Sequence, residues 1–345
     1  MRKLRFKDYL LDYLEFYHIS NKDFANRIGI SEKHLIDILS GNCDLSSSVI
    51  ASISLVTNIP IEYIYNVEAS YKLEVQIDSY LKEHHLTKKA YLAKFHYRDL
   101  MKEKYIDFKD REDSMELIKD ILKFLRVSSP EKVYEINSQA HYKSRNDKPE
   151  LLLLWLEKCY RETLKQKVSE YHKENISQLV DYILKCAHKN QFDEQALIRK
   201  FNQNGIYLVI QKDLPGSKIR GAFRVHRNIP AIYLTYKHQR IADIYFALLH
   251  EVAHLKSDFN KAKATSLVTY EDDHEEIERK RDQQAFNWMV DDHYYTEVCC
   301  KKDYDISLEN HYPKSFIVYR LAHDGYLKYR SKTYQMFNPK ITIKQ

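Results

Sequence analysis

The first 67 residues alternate apolar and polar positions in a way that is typical of short packed helices. In the segment 6–17, large apolar side chains recur on one helical face; they are Tyr9, Leu10, Tyr13, Leu14 and Tyr17. Serines that can cap helix N-termini and glycines that can end helices divide the rest of this region. The pattern predicts further helices at 21–28, 32–39 and 46–57, and a short fifth helix that begins at Pro60. We therefore predict a five-helix domain over residues 1–68.

Residues 69–190 are mostly polar and are rich in Lys, Glu, Tyr and Leu, which favours helices. Turn-forming residues at 128–130 and 141–149 predict loops. The apolar run 151–156 is too short to cross a membrane, so it indicates the start of a buried helix. We predict a helical middle region over residues 69–190.

The hydrophobic pattern changes after residue 200. Short apolar runs at 205–210, 221–225 and 231–234 predict three strands, and Leu214-Pro215-Gly216 predicts a turn. Longer patterns predict helices at about 240–256 and 275–291. The expected fold is therefore mainly α, with a small α+β domain over residues 191–345 that contains a small mixed or antiparallel sheet.

Composition narrows the class of protein. Hydrophobic residues make up 44% and charged residues 30%, which suits a globular protein. No apolar run is long enough for a transmembrane helix, and the N-terminus lacks the apolar core of a signal peptide. Five cysteines without a CxxC pair are typical of a reducing compartment. We expect a cytoplasmic protein with no membrane contact.

The segment 247–255 carries the strongest chemical motif, His-Glu-x-x-His. On a helix, His250 and His254 share one face, so both imidazoles can reach one metal ion. Glu251 lies beside them, where it can act as the general base of a metallopeptidase. The alternative is a surface helix that happens to carry two histidines. No residue in the sequence is identified as an oxyanion stabiliser; His274, His293, His311 and His323 are candidates, with ordinary surface histidines as the alternative.

A catalytic zinc ion usually has three protein ligands, so a third ligand is needed. The downstream candidates are Glu271, Asp272, Asp273, His274, Glu275, Glu276, Glu278 and Asp282. Most belong to an acidic run of the kind that usually faces solvent. Asp282 instead shares the apolar face of its helix with Ala285, Phe286 and Met289. We therefore predict His250, His254 and Asp282 as the ligands of Zn²⁺, with Mn²⁺ as the alternative ion. An Asp282 paired with a cation such as Arg240 is the other interpretation.

The stretch 205–291 resembles the ImmA/IrrE metallopeptidases. The matching features are Gly205-Ile206, Leu214-Pro215-Gly216, Gly221-Ala222, the strand 230–234, the His-Glu-x-x-His helix, and a later helix with Ala285 and Trp288. The resemblance implies a zinc endopeptidase that cuts a repressor or antitoxin partner. It also implies that the third ligand is the acidic residue three before Ala285, which is Asp282 here. The family usually has Glu at that position.

The segment from Ser20 to Gly41 resembles the helix-turn-helix of the XRE (Cro/repressor-like) family, and residues 41–63 resemble its HigA-like antitoxin subgroup. Such motifs place the third helix in the major groove of DNA and often bind palindromes as dimers. The resemblance implies contacts with double-stranded operator DNA from Ser20, Lys22, Ser31, Lys33, His34, Asp37 and Asn42. Since residues 1–70 carry a net charge of about −2, a helical bundle without DNA contact is the alternative.

Together the two resemblances imply a homodimeric DNA-binding transcription regulator of bacteria or their phages and mobile elements. Its metallopeptidase domain would cleave a repressor or antitoxin. The replacement of the usual Glu by Asp282 supports a second hypothesis. In that hypothesis the chain is a non-catalytic HigA-like antitoxin and autorepressor that neutralises a toxin through its C-terminal domain.

Overall fold

A computed structural model describes residues 5–139, 148–212, 214–236, 240–264, 267–270, 276–300 and 312–341. The chain is mainly helical and has a small four-stranded mixed sheet, in line with the expected fold class. It divides into two compact units. The first consists of residues 1–91, 109–119 and 128–131, and the second of residues 92–108, 120–127 and 132–345.

The first unit begins with helices close to those predicted. They are α1 (Phe6–Phe16), α2 (Asn21–Ile28), α3 (Glu32–Ser40), α4 (Ser47–Thr57) and α5 (Ile61–Glu83). The hydroxyls of Ser20, Ser31 and Ser46 accept the backbone N–H three residues on, so each is an N-cap as its position indicates. Gly29 and Gly41 end α2 and α3 with positive φ, the conformation that glycine adopts without strain.

Helix α5 differs from the prediction, because it is 23 residues long rather than short. It continues through residue 68, where the predicted domain boundary lies. Glu68 is buried, bonds Arg5, and accepts the backbone N–H of Phe6 at the start of α1. This carboxylate joins two segments 62 residues apart, a tertiary contact that local sequence patterns do not reveal.

Further helices follow in the remaining chain. They are α6 (Lys88–Lys94), α7 (Tyr97–Lys102), α8 (Ser114–Leu125), α9 (Pro130–Gln139), α10 (Pro149–Thr163), α11 (Ile176–His188), α12 (Glu194–Gln203), α13 (Ile241–Ser257), α14 (Phe259–Ala264), α15 (Glu276–Met289), α16 (Asp292–Cys300), α17 (Lys314–His323) and α18 (Lys332–Phe337). A short 3-10 helix, Lys173–Asn175, precedes α11. None of the described helices is both long and apolar enough to span a membrane.

The sheet belongs to the second unit. Its strands are β1 (Tyr207–Ile210), β2 (Ile219–His226), β3 (Ile229–Leu234) and β4 (Leu267–Tyr270), in the order β1-β3-β2-β4. The first three match the predicted strands, whereas β4 was not predicted. Strand β1 pairs with β3 in parallel, and the other pairs are antiparallel. The sheet is therefore mixed.

Each face of the sheet packs against a helix. On one face, Phe223 and Ile232 join the main core, which α13 dominates. On the other face, Ala222 and Tyr233 pack against Trp155 of α10, the helix that the apolar run 151–156 predicts. Helix α13 thus lies in the interior, and polar side chains on it need internal partners.

Candidate metal centre

Helix α13 carries both histidines of the motif into the core. His250, Glu251 and His254 are polar, but all three are buried among the apolar residues of this helix. The two Nε2 atoms lie 3.1 Å apart, as expected for residues one helical turn apart. A surface helix with two incidental histidines is therefore not what the structure shows.

Glu278 of α15 completes a group of three. Its Oε2 lies 3.0 Å from Nε2 of His250 and 3.4 Å from Nε2 of His254, and the side chain is buried. Ligands of a tetrahedral zinc ion at the usual bond lengths lie about 3.3–3.4 Å from one another. The three atoms thus have the spacing and the chemistry of a site for one metal ion.

This arrangement corrects the predicted third ligand. Asp282 lies one turn after Glu278, and its Oδ1 accepts a hydrogen bond from Nδ1 of His250 at 2.8 Å, on the far side of the ring from Nε2. Glu278 was among the candidates but was assigned to a solvated acidic run. Its helix packs along α13, so residue 278 lies level with both Nε2 atoms. Arg240, the alternative partner of Asp282, instead donates to the carbonyl of Asn338.

The other candidates in the acidic run have different positions. Glu276 is exposed and pairs with Lys280. Residues 271–275, which include Glu271, Asp272, Asp273, His274 and Glu275, lie outside the described residues. Within the described part of the chain, the geometry favours Glu278.

A second carboxylate holds the other histidine. Nδ1 of His254 donates to Oδ2 of Asp258 at 2.8 Å, and Arg281 donates to both oxygens of Asp258 at 2.7 and 3.1 Å. Carboxylates on Nδ1 fix the tautomer and aim the Nε2 lone pair at a metal. The sequence analysis missed Asp258 and Arg281. The i, i+4 continuation from His254 to Asp258 was a signal that could have found the first of them.

The carboxylates also change the acidity of the ligands. Burial alone would lower the pKa of His250, but hydrogen bonds to Asp282 and Glu278 outweigh it and raise that pKa to about 9. Burial alone would raise the pKa of Glu278, but the two histidines lower it below its usual range. At neutral pH, protons on the imidazoles therefore balance the anionic carboxylates, and a bound divalent cation would take the place of those protons.

Glu251 fits into a space that only glycine leaves open. A Cβ added to Gly221 of β2 would lie 2.5 Å from Oε1 of Glu251 and 3.0 Å from the carbonyl oxygen of Tyr233. The carboxylate of Glu251 therefore lies against the backbone of β2, where any side chain at position 221 would displace it. Glu251 raises the pKa of both histidines through its charge, which is consistent with its place beside them.

The predicted DNA-contacting residues lie at the surface of the first unit. Exposed residues are Ser20, Lys22, Ser31, Lys33 and Asn42, and half-buried ones are His34 and Asp37. The backbone carbonyl of Asp37 accepts from the N–H of Asn42 at the end of α3. The structure thus groups these side chains around α2 and α3.

Comparisons of the chain with protein-family models, with curated proteins and with solved structures found no match.

Proposed function

We propose that this chain is a cytoplasmic DNA-binding transcription regulator whose second unit contains a zinc metallopeptidase site. Its substrate would be a repressor or antitoxin protein of bacteria or their mobile elements. The observation that carries the peptidase part is the buried group of His250, His254 and Glu278 with Glu251 next to it. The three donor atoms lie close enough to one another, and are of the right chemistry, to bind one divalent cation.

The donor set fits zinc. Two imidazole nitrogens and one carboxylate oxygen are a common ligand set of catalytic zinc, which leaves one position for water or substrate. A bound zinc ion would lower the pKa of water and polarise a peptide carbonyl. Manganese would fit the same three ligands less selectively.

The residues of the chain would divide the remaining work. His250, His254 and Glu278 would hold the ion, and Asp282 and Asp258 hold the two imidazoles in place. Glu251 would accept the proton of the water that attacks the peptide bond and return it to the leaving amine. Burial of the carboxylate keeps bulk water from competing for that proton.

The DNA-binding part rests on the capped helices α2 and α3. Lys22 and Lys33 are exposed there and can reach phosphates, and the start of α3 is free of apolar cover. We propose that a homodimer binds a palindromic operator, since paired half-sites suit this motif.

The Glu251→Gln variant tests the peptidase part. We expect it to keep about one zinc per chain, since Glu251 is not a ligand, and to lose cleavage of the partner. Glu276→Gln is the matched control, because Glu276 is exposed on α15 and forms an ion pair with its neighbour Lys280 on the same helix. Elemental analysis gives the metal content, and gel analysis of co-expressed partner proteins gives cleavage.

One observation favours the non-catalytic antitoxin as the second candidate. The histidines and carboxylates of the site form a hydrogen-bonded network among themselves. Such a network can stabilise a binding domain without any reaction. If Glu251→Gln leaves repression and toxin neutralisation intact and the wild type cleaves nothing, the antitoxin is the better account.

A further inference from the structure

Strand β2 contains a bulge beside the metal site. Ile219 pairs with Tyr270 and Gly221 pairs with Thr269, so two steps on β2 match one step on β4 and Arg220 is the extra residue. Ile219 packs in the cluster with Trp155, on the α10 face. The bulge turns Arg220 to the opposite face, the one that carries α13.

The contacts of Arg220 confirm that direction. Its guanidinium lies 4.5 Å above the ring of Phe246, which precedes His250 by one turn on α13. The rings of Phe246 and His250 are 6.3 Å apart. Nη2 of Arg220 donates to the hydroxyl oxygen of Tyr319 at 2.9 Å. A cation and a phenol therefore lie together one residue layer from the proposed ligands.

The phenol of Tyr319 keeps its own hydrogen available. Its oxygen accepts from Arg220, and among the described residues none accepts the O–H in return. Burial raises the pKa of Tyr319, so the hydroxyl stays protonated at neutral pH. A hydrogen bond accepted from a cation also makes the O–H a stronger donor.

The guanidinium of Arg220 has hydrogen-bonding capacity that the described residues do not fill. Its Nε is buried and has no hydrogen-bond partner in the described part of the chain. Burial alone would lower the pKa of Arg220, but Tyr319 and Asp282 raise it, so the group stays charged. Asp243, the next acid nearby, already accepts from Tyr334 and Asn338. The side chain of Asp282 is 31% exposed, so solvent reaches this side of the site.

We propose that Arg220 and Tyr319 together form the donor site for the oxygen of the scissile carbonyl, where negative charge develops during peptide cleavage. Preorganised donors at that position are the usual means of stabilising such an oxygen. The proposal supplies the stabiliser that no motif in the sequence indicates. It rests on the proposed peptidase function.

The test uses anion binding, which needs no knowledge of the natural substrate. The full chain is loaded with cobalt(II), and inorganic phosphate is titrated while the visible absorption of the metal is followed. Tyr319→Phe removes one oxygen and no packing volume. We expect it to bind phosphate at least about tenfold more weakly with unchanged cobalt content, since hydrogen bonds to charged groups are among the stronger ones. Arg220→Met should weaken phosphate binding further.

Arg224→Met is the matched control. Arg224 lies on the same strand but opposite Ala231, which belongs to the α10 face. The Arg224→Met variant should bind phosphate with the same affinity as the wild type. Equal phosphate affinity of Tyr319→Phe and the wild type would overturn the donor site, and so would an equal loss of affinity in Arg224→Met. In either case, a normal cobalt content would still support the proposed metal site. A wild type that binds no cobalt would overturn both proposals.

Discussion

The two units of this chain carry their functional polar groups in opposite ways. In the first unit, the residues proposed to contact DNA are largely exposed, and local caps and turns fix the ends of the helices that carry them. In the second unit, His250, His254 and Glu278 are buried and held by side chains from distant segments. The first arrangement can lose a functional side chain at little cost in stability, whereas the second cannot.

The difference also explains which positions were accessible from sequence. A cap is specified by residues within a few positions of it, so helix ends in the first unit could be predicted closely. A metal ligand on a second helix depends on how two helices pack, which is a tertiary property.

Replacing either Glu278 or Asp282 of α15 by its amide should show, from the zinc affinity, which of the two is a ligand and which only supports a ligand. Glu278→Gln should lose nearly all zinc, because one of three ligands becomes a poor donor. Asp282→Asn should keep zinc but bind it about 10–100-fold more weakly, as is usual when an outer carboxylate is lost. Competition with a chromogenic chelator measures both affinities. Stronger loss in Asp282→Asn than in Glu278→Gln would restore Asp282 as the ligand.

Gly221→Ala should reduce stability by about 1–3 kcal/mol, because the added Cβ would overlap the carboxylate of Glu251. It should also reduce cleavage, since Glu251 has to move. Urea unfolding followed by circular dichroism gives the free energy of unfolding.

A double-mutant cycle identifies the cause of that loss. In a Glu251→Asp background the carboxylate is shorter, so the cost of Gly221→Ala should fall by at least about 1 kcal/mol. The same cost in both backgrounds would mean that the backbone of Tyr233, and not Glu251, meets the new Cβ.

The contribution of His226 to the stability of the second unit should fall in mild acid. Burial and Arg224 lower the pKa of His226 to about 4. In the unfolded chain the group protonates near pH 6.5, so the unfolded state binds more protons as the pH falls from 6.5 to 4. Stability from this group is complete above pH 6.5 and should be about 2 kcal/mol lower at pH 5.

His226→Gln isolates this contribution. The variant keeps a polar side chain opposite the hydroxyl of Tyr233, which lies 2.6 Å from Nε2 in the wild type. The change in the free energy of unfolding from pH 7.5 to pH 5 should be about 2 kcal/mol more favourable to the folded state in the variant than in the wild type. An identical pH dependence would show that His226 titrates alike in both states.

The smallest effect belongs to the first unit. Lys33→Ala should weaken binding to a mixed-sequence DNA duplex about threefold to tenfold and reduce the salt dependence by about one phosphate contact. Its free energy of unfolding should change by less than about 0.5 kcal/mol, because the side chain is exposed. Fluorescence anisotropy at several salt concentrations measures both quantities.

Lys89→Ala is the control, since Lys89 is exposed in the same unit but lies outside α2 and α3. Equal binding by both variants and the wild type would favour a helical bundle that does not contact DNA.

Much of the fold could be predicted because its signals are local. Helix α2 has the predicted bounds, and strands β2 and β3 lie within two residues of their predictions. Strand β4 was missed because it has four residues next to an acidic run, so neither its length nor its pattern distinguishes it from a loop. The fifth helix was predicted too short, because α5 continues past Glu68 to Glu83. The burial of Glu68 against Arg5 depends on a contact that is distant in sequence.

The candidate site shows the same limit at the level of single residues. His250, Glu251 and His254 share one helical turn, so spacing alone brought them together. The choice of Asp282 over Glu278 relied on the apolar face of α15, and that face does contact α13. Spacing along the helix could not show which carboxylate lies level with Nε2 and which with Nδ1. Arg220 was beyond reach for a related reason, because a bulge changes the face of a residue without changing the sequence around it.

Because Arg220 is the extra residue of a bulge, it could be inserted or deleted in evolution without a change in the rest of the β2–β4 pairing. Without it, Ile219 and Gly221 would be consecutive, and they already occupy opposite faces and pair with consecutive residues of β4. Deletion of the Arg220 codon would therefore restore a regular β2–β4 ladder and leave the remaining side chains of β2 on their present faces. Under the proposed functions, a descendant of this chain could lose the arginine, keep its sheet and its proposed metal ligands, and pass from cleaving a partner to only binding it in a single genetic event.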